Sequence, residues 1–309
     1  MILGFDIGGT KCAAILGTSS GEIRLRKEIP TRTSRGFQPV FNDLCALGRE
    51  VAADAAEPVE ALSVSIGGPL DVLQGIILSP PNLPGWDRIP LKSLLEKEFT
   101  LPVFIEHDGN AGALAEWMFG AGKGMKNLVF LTMGTGFGAG LILDGRLYRG
   151  TSDVAGEAGH VRIAEEGPLC YGKAGSLEGY ASGTGIARLA HMLHPQFWGE
   201  DVTLRQVAEQ ARAGSEEARH VFDVAALRFG RGLAMLMDIL NPQCIVLGGI
   251  GMRVYELLVV PALRVAQSEA LPQSWEACRV VPAKLDEAIG DYAALCAALD
   301  QGGLLKRSS

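Results

Sequence analysis

No run of lysines and arginines occurs anywhere in this chain of 309 residues, and acids outnumber bases by 35 to 28, a formal charge of −7. A nucleic-acid footprint or a membrane-surface patch needs such a run, so neither partner is expected. No apolar stretch approaches the ~20 residues that a bilayer-spanning helix requires. Nor does a charged region followed by an apolar core open the sequence, because a strand pattern begins at Ile2; no signal peptide is expected. A C-x-x-C pair is also missing. The six cysteines (Cys12, Cys45, Cys170, Cys244, Cys278, Cys296) are scattered, which reads as free thiols in a reducing cytoplasm. What remains is ordinary soluble composition, 48% hydrophobic and 20% charged. The length suggests about two domains. A chain this long can bury roughly 75% of the surface its unfolded form exposes.

The sequence is built around glycine turns that follow apolar runs. Ile2 to Ile7 reads as a buried strand, Gly8 and Gly9 as a tight turn, and Cys12 to Leu16 as a second strand. A third strand, Ile23 to Ile29, follows a turn at Gly17 to Glu22. The turn Gly8-Gly9-Thr10-Lys11 sits beside Asp6. Glycines let backbone N–H groups approach phosphate oxygens, and the Asp6 carboxylate is an oxygen ligand of the kind a phosphate-bound Mg²⁺ accepts. The pattern returns as strand, glycine-rich turn (Gly134 to Gly138) and strand over Val129 to Leu143, with Asp144-Gly145 as a hairpin turn into Arg146 to Tyr148. Superposing Gly8 on Gly134 sets Thr132 under Asp6 and Ala139 under Ala13. The two hairpins then run in register, which predicts two related lobes that each offer a glycine turn to one phosphate chain. A third such turn, Gly248-Gly249-Ile250-Gly251, follows the strand Cys244 to Leu247 and suits the ribose and base of a nucleotide.

Between these turns the apolar spacing predicts helices over Phe37 to Val51, Leu91 to Phe99, Gly112 to Phe119, Val202 to Ala213, Glu216 to Leu240, Leu257 to Gln267 and Ile289 to Leu299. Strands are expected at Ala61 to Ile66, ending in Gly67-Gly68-Pro69, and at Arg279 to Pro282. The loop Ser79 to Trp86 holds three prolines and a glycine, too rigid for helix or strand, with Asn82 as the polar residue it would position. Strand Val103 to Glu106 leads through His107, Asp108 and Asn110 into a helix. Ligands of open α/β sheets bind at such strand ends, yet Asp108 could equally be the N-cap of the next helix. A flexible link, Gly120 to Asn127, marks a domain boundary. Gly156-Glu157-Ala158-Gly159-His160 reads either as a binding loop for a metal or a polyhydroxylated ligand, or as an ordinary loop.

Six segments taken together resemble the sugar kinases of the ROK family (repressor, open reading frame, kinase), within the actin-like, ribonuclease-H-like ATPases. They are Asp6-Ile7-Gly8-Gly9-Thr10-Lys11, Pro81-Asn82-Leu83-Pro84-Gly85-Trp86, Glu106-His107-Asp108-Gly109-Asn110-Ala111, Gly134-Thr135-Gly136-Phe137-Gly138, Gly156-Glu157-Ala158-Gly159-His160 and Leu177-Glu178-Gly179-Tyr180-Ala181-Ser182-Gly183. The resemblance implies a two-lobed α/β fold, each lobe a mixed sheet flanked by helices, with the active site in the cleft. It implies a small N-terminal lobe, 1–120, and a larger C-terminal lobe, 121–309, with the last helix (289–309) packing back on the first lobe.

Function follows from the same resemblance: ATP-dependent phosphorylation of a hexose hydroxyl, glucose before N-acetylglucosamine, N-acetylmannosamine, fructose or allose. Asp108 matches the general base. Asn82, Glu157, His160 and Glu178 match residues that hold sugar hydroxyls, with His107 beside them. Asp6, Gly8, Gly9, Thr10 and Lys11 match one phosphate loop and Gly134, Thr135, Gly136 and Gly138 the other. Gly248 and Gly249 match the adenosine side, and Mg²⁺ would enter with ATP at Asp6. Dimers are common in the family, so a homodimer through the helices after Val202 is expected. Repressors of the family carry an extra N-terminal helix-turn-helix, which this chain, beginning at the first phosphate strand, is not expected to use. A silent sugar sensor is the alternative of another class.

Two departures stand out. Many members carry C-x-C-G-x-x-G-C before the Leu-Glu, a structural zinc site completed by the histidine of G-E-x-G-H. Here the stretch reads Pro168-Leu169-Cys170-Tyr171-Gly172-Lys173-Ala174-Gly175-Ser176, with one cysteine. A closed zinc site needs four ligands, so no structural zinc is predicted, and packing must hold the loop. Family members also usually have Asn where this chain has His107, which leaves the preferred sugar open.

Overall fold

Short, strongly apolar runs bounded by glycines become strands here because their side chains can be buried on both faces. Ile2–Ile7 (β1) and Ala61–Ile66 (β4) are buried almost throughout, as central parallel strands must be. The edge strand Ile23–Pro30 (β3) alternates instead between half-buried and exposed. A computed structural model describes residues 1–304. Its internal contacts divide the chain into two units, Met1–Phe119 with the stretch from Glu287 on, and Gly120–Asp286.

In the first unit, Lys11–Gly17 (β2) and Val103–His107 (β8) complete a five-stranded sheet of order β3-β2-β1-β4-β8. β1 is antiparallel to β2 and parallel to β4, and β4 is parallel to β8. Leu70–Asp71 (β5), Ile76–Leu78 (β6) and Asp87–Ile89 (β7) form a small sheet beside it. Helix Phe37–Ala53 (α1) buries Val40, Phe41, Leu44, Leu47 and Val51 in the same core as Leu3, Phe5 and Leu91 of helix Leu91–Phe99 (α2). Helix Asp108–Met118 (α3) and the final helix Ile289–Gln301 belong to this unit as well; Ala294, Leu295, Ala298 and Leu299 of the final helix share a second core with Ile2 and Ile15. The residues of the expected final helix beyond 304 lie outside the described residues.

The second unit repeats the first sheet. Leu128–Met133 (β9), Phe137–Leu143 (β10), Arg146–Leu147 (β11), Cys244–Leu247 (β14) and Arg279–Pro282 (β15) give the order β11-β10-β9-β14-β15 with the same strand directions. The register differs. Ile7 pairs with Cys12 across four turn residues, whereas Met133 pairs with Phe137 across three. Thr132 therefore faces Gly138 while Asp6 faces Ala13, and the in-register superposition fails after the turn. Leu169–Cys170 (β12) and Lys173–Ala174 (β13) make a small hairpin.

Helices Glu178–Ala181 (α4), Gly183–Leu193 (α5), Leu204–Ala213 (α6), Glu216–Leu240 (α7), Ile250–Arg253 (α8), Val260–Glu269 (α9) and Pro272–Ala277 (α10) cover this sheet. The α9 pattern starts later than its apolar spacing suggested, because a π-helical turn, Tyr255–Val259, precedes it. The segment before β9 is not a loose link: Lys126 and Asn127 both donate backbone N–H groups to Gln243 Oε1, at 2.7 and 3.1 Å. All six cysteines are buried, and none is joined in a disulfide. Among the described residues no helix is long and apolar enough to cross a membrane.

Candidate functional site

In the first unit the predicted residues gather at the C-terminal ends of the parallel strands. The turn after β1 closes through Gly8 N–H to the Lys11 carbonyl at 3.0 Å, and Thr31 steadies it by donating its hydroxyl to the Gly8 carbonyl at 2.6 Å. Gly9 runs so close to the Ser79–Trp86 loop that a Cβ there would stand 2.6 Å from the Asn82 carbonyl oxygen. That loop is anchored by the buried side chains of Leu83 and Trp86, with Trp86 edge-on to Phe37 at 4.9 Å. Asn82 and Thr10 are exposed, and Lys11 pairs with Glu28 at 3.1 Å.

Asp6 points from β1 at the start of the final helix, where a Cβ on Gly290 would lie 2.7 Å from its Oδ2. Burial, and then the charges of Asp108 and Asp291, push its carboxyl up to about 7 against the pull of Lys11 and Arg26. Mg²⁺ sites commonly use one or two carboxylates and complete themselves with substrate phosphates. A half-buried carboxylate raised by desolvation and by neighbouring acids fits that role, since a cation would relieve the repulsion. No group of three or more histidines, cysteines or acids is arranged to hold a metal among the described residues.

Asp108 is not the N-cap. The helix starts at Asp108 itself, four residues before the expected Gly112, and His107 is the cap. The Gly109 N–H is shared by His107 Nδ1 at 3.3 Å and Asp108 Oδ1 at 2.7 Å, with those two atoms 3.1 Å apart. Asp108 remains exposed, and its Oδ2 has no hydrogen-bond partner among the described residues. Behind it, Gly67 and Gly68 form a floor: a Cβ on Gly68 would meet the His107 ring at 2.5 Å, and one on Gly67 would lie 3.6 Å from Asp108 Oδ2. These two glycines carry no side-chain chemistry, so the Gly-Gly-Pro after β4 was the only trace of them in sequence. Asn110 is buried and donates to Glu106 Oε1 at 3.0 Å, bracing the strand-to-helix corner.

In the second unit, Glu178 starts α4 and reaches the turn after β9. Its Oε2 accepts the Phe137 N–H at 2.9 Å and would stand 2.9 Å from a Cβ on Gly136. The segment Gly156–His160 lies against β10 because Gly156 and Gly159 allow it: side chains there would collide with the Ala139 and Phe137 carbonyls. Glu157 and His160 stay exposed at the two ends of a short 3₁₀ turn. The stretch before α4 does not fit a closed zinc site. Its one thiol, Cys170, could supply only one of the four ligands that such a site needs. Main-chain pairing holds it instead: the β12–β13 hairpin, the Gly175 carbonyl accepting from Ile163 and Ala164 N–H groups, and Arg188 donating to the Leu169 carbonyl at 3.0 Å.

The Gly134 turn also borders a pocket of about 880 Å³ whose walls include Thr135, Thr184, Arg188, Glu200, Arg205 and Arg253. The start of α5 ties into this turn, Gly183 N–H donating to the Gly134 carbonyl at 2.8 Å. Gly249 (φ 63°) turns the chain from β14 toward Ile250, which lines the pocket with Arg253; Gly248 and Gly249 are not themselves among the lining residues. The polar wall residues from Thr184 to Arg253 were missed in sequence, because helix surfaces rich in arginine and glutamate read as solvated faces.

A model of the ROK family matches residues 2–300. The chain belongs to the ROK family. It is 34% identical to a glucokinase of Halalkalibacterium halodurans over 88% of this chain and 86% of that one. It is equally, 34%, identical to an N-acetylmannosamine kinase of Shigella boydii over 80% and 82%. Xylose repressors also match. Among solved structures, a ROK hexokinase from Thermus thermophilus superposes with TM-score 0.85 at 33% identity, covering 98% of this chain and 99% of that one. A ROK glucokinase from Streptomyces griseus in complex with glucose and AMPPNP gives TM-score 0.75 at 30% identity, covering 98% and 99%. The duplicated sheet with its flanking helices is thus the actin-like ATPase fold of ROK kinases.

Proposed function

We propose that this ROK protein is an ATP-dependent hexose kinase that phosphorylates glucose, with Asp108 as general base. The reading rests above all on the exposed carboxylate at the C-terminal end of β8, one oxygen held by an amide and the other without a protein partner. A sugar hydroxyl is a poor nucleophile, and a positioned carboxylate aligns it and takes its proton. Bound ATP would supply the phosphoryl group and Mg²⁺, held through Asp6, would neutralise charge on it. The glycine turns at Gly8–Lys11 and Gly134–Gly138 are the candidate phosphate contacts, and the pocket walled by Thr135 and Arg253 the candidate adenosine site. Asn82, His107, Glu157, His160 and Glu178 are the candidate partners of the sugar hydroxyls; carboxylates suit a ligand made of O–H donors. N-acetylmannosamine is the second candidate substrate, supported by the equal similarity to a kinase of that name.

The test is ADP release with Mg-ATP across hexoses and N-acetylhexosamines. Asp108→Asn is expected to retain sugar binding and lose about 10²–10⁴-fold in kcat, the usual contribution of a general base. Near-normal turnover in that variant removes Asp108 from the role. Sugar binding without turnover in the wild type turns the reading to a sensor.

A further inference from the structure

Tyr171 touches two of the proposed sugar partners, although nothing in its sequence position announces it. It forms the tip of the β12–β13 hairpin with Gly172, both residues left-handed (φ 53° and 73°), the backbone that two-residue hairpins prefer. Its hydroxyl donates to Glu178 Oε2 at 2.7 Å, and its ring meets the His160 ring edge-on, centroids 5.1 Å apart. Glu178 Oε2 also receives the Phe137 N–H at 2.9 Å, so one carboxylate oxygen is saturated by the protein. Glu178 Oε1 has no hydrogen-bond partner among the described residues.

Resting on the kinase reading, we propose that Tyr171 is a positioning residue for sugar selection. Its phenol and the Phe137 amide lock Glu178 so that Oε1 alone faces the ligand, and its ring fixes the plane of His160. A carboxylate clamped at one oxygen accepts from one hydroxyl in one direction, which distinguishes epimers better than a freely rotating one. Burial and the neighbouring Glu178 hold the phenol in its protonated, donating form. The residue is nevertheless 55% exposed, so its anchor is the pair of contacts rather than a core.

Tyr171→Phe keeps the ring contact and removes the hydrogen bond; Tyr171→Ala removes both. Loss of one hydrogen bond to a charged group predicts a rise of about tenfold in the sugar KM for Tyr171→Phe, and a larger one for Tyr171→Ala. The kcat and the KM for ATP should hardly move. Across monodeoxyglucoses, the wild-type penalty should be greatest at the hydroxyl that Glu178 holds, and Tyr171→Phe should shrink that penalty alone. An unchanged sugar KM in Tyr171→Phe overturns the proposal, as does a parallel loss of kcat and both substrate affinities with a lower melting temperature. If the wild type releases no ADP with any sugar, the kinase reading has failed, and the comparison moves to hexose Kd by calorimetry. There a similar rise supports the positioning role; equal Kd values, or no hexose binding by either protein, overturn it.

Discussion

Asp6 shows how far one carboxyl can be driven by its neighbours. Its folded value of about 7 lies above the ordinary 3.8, so the folded protein binds a proton that the unfolded chain releases. Stability then falls as pH rises from about 4 to about 7, and the penalty is constant above that. Asp6→Asn should therefore raise the melting temperature of the ligand-free protein, by an amount that grows over this range and levels off near pH 7. The gain is on the order of a few kcal/mol, because each tenfold change in proton affinity between the folded and unfolded chain is worth about 1.36 kcal/mol. A gain that does not vary with pH would mean that Asp6 is not the titrating group. His107 gives a second test. Its ring nitrogen caps α3, and Asn is also a good cap, so His107→Asn should melt near the wild type, whereas His107→Ala should cost about 1 kcal/mol. Thermal unfolding of both variants decides this. The sequence pointed to Asp108 as cap or base but not to the histidine beside it, because imidazole is an uncommon capping group.

At the scale of elements, rigidity comes from side chains planted beneath exposed loops. The Ser79–Trp86 loop holds Asn82 over the Gly8–Gly9 turn only while Trp86 fills the space against Phe37. Trp86→Ala should cost about 3–5 kcal/mol and weaken sugar binding together with stability. The buried indole Nε1 has no hydrogen-bond partner among the described residues, so Trp86→Phe forfeits none of those contacts and should be much milder. Equal melting temperatures for these two variants would contradict the packing role. Most element positions were legible, since glycines punctuate strands and apolar spacing marks helices: Leu91–Phe99 and Glu216–Leu240 fall where the pattern put them. The hairpin register was not legible. A turn of three residues and one of four look alike when aligned on their first glycine, and only strand pairing counts the residues between.

At the scale of the whole chain, the first unit is completed by residues that come last. Ala294, Leu295, Ala298 and Leu299 are buried with Ile2 and Ile15, strands that begin the sequence. Ending the chain at Asp286 would expose that face, and fully burying a leucine contributes about 1.5–3 kcal/mol. Such a truncation should yield insoluble or proteolysed protein. A soluble, cooperatively folding product of the shorter chain would show that the final helix is dispensable.

The amino-acid sequence alone determined the strand and turn grammar, the family and the acids, histidines and glycines that carry the proposed chemistry. These are local matters, set by backbone freedom at glycine, by apolar periodicity and by side-chain functional groups. Tertiary structure alone decided that His107 caps the helix, that Gly67 and Gly68 floor it, that Asp6 meets the start of the final helix, and that Tyr171 reaches Glu178. Each is a contact or charge coupling whose strength depends on distance and burial, and distances between residues far apart in the chain exist only once it has folded.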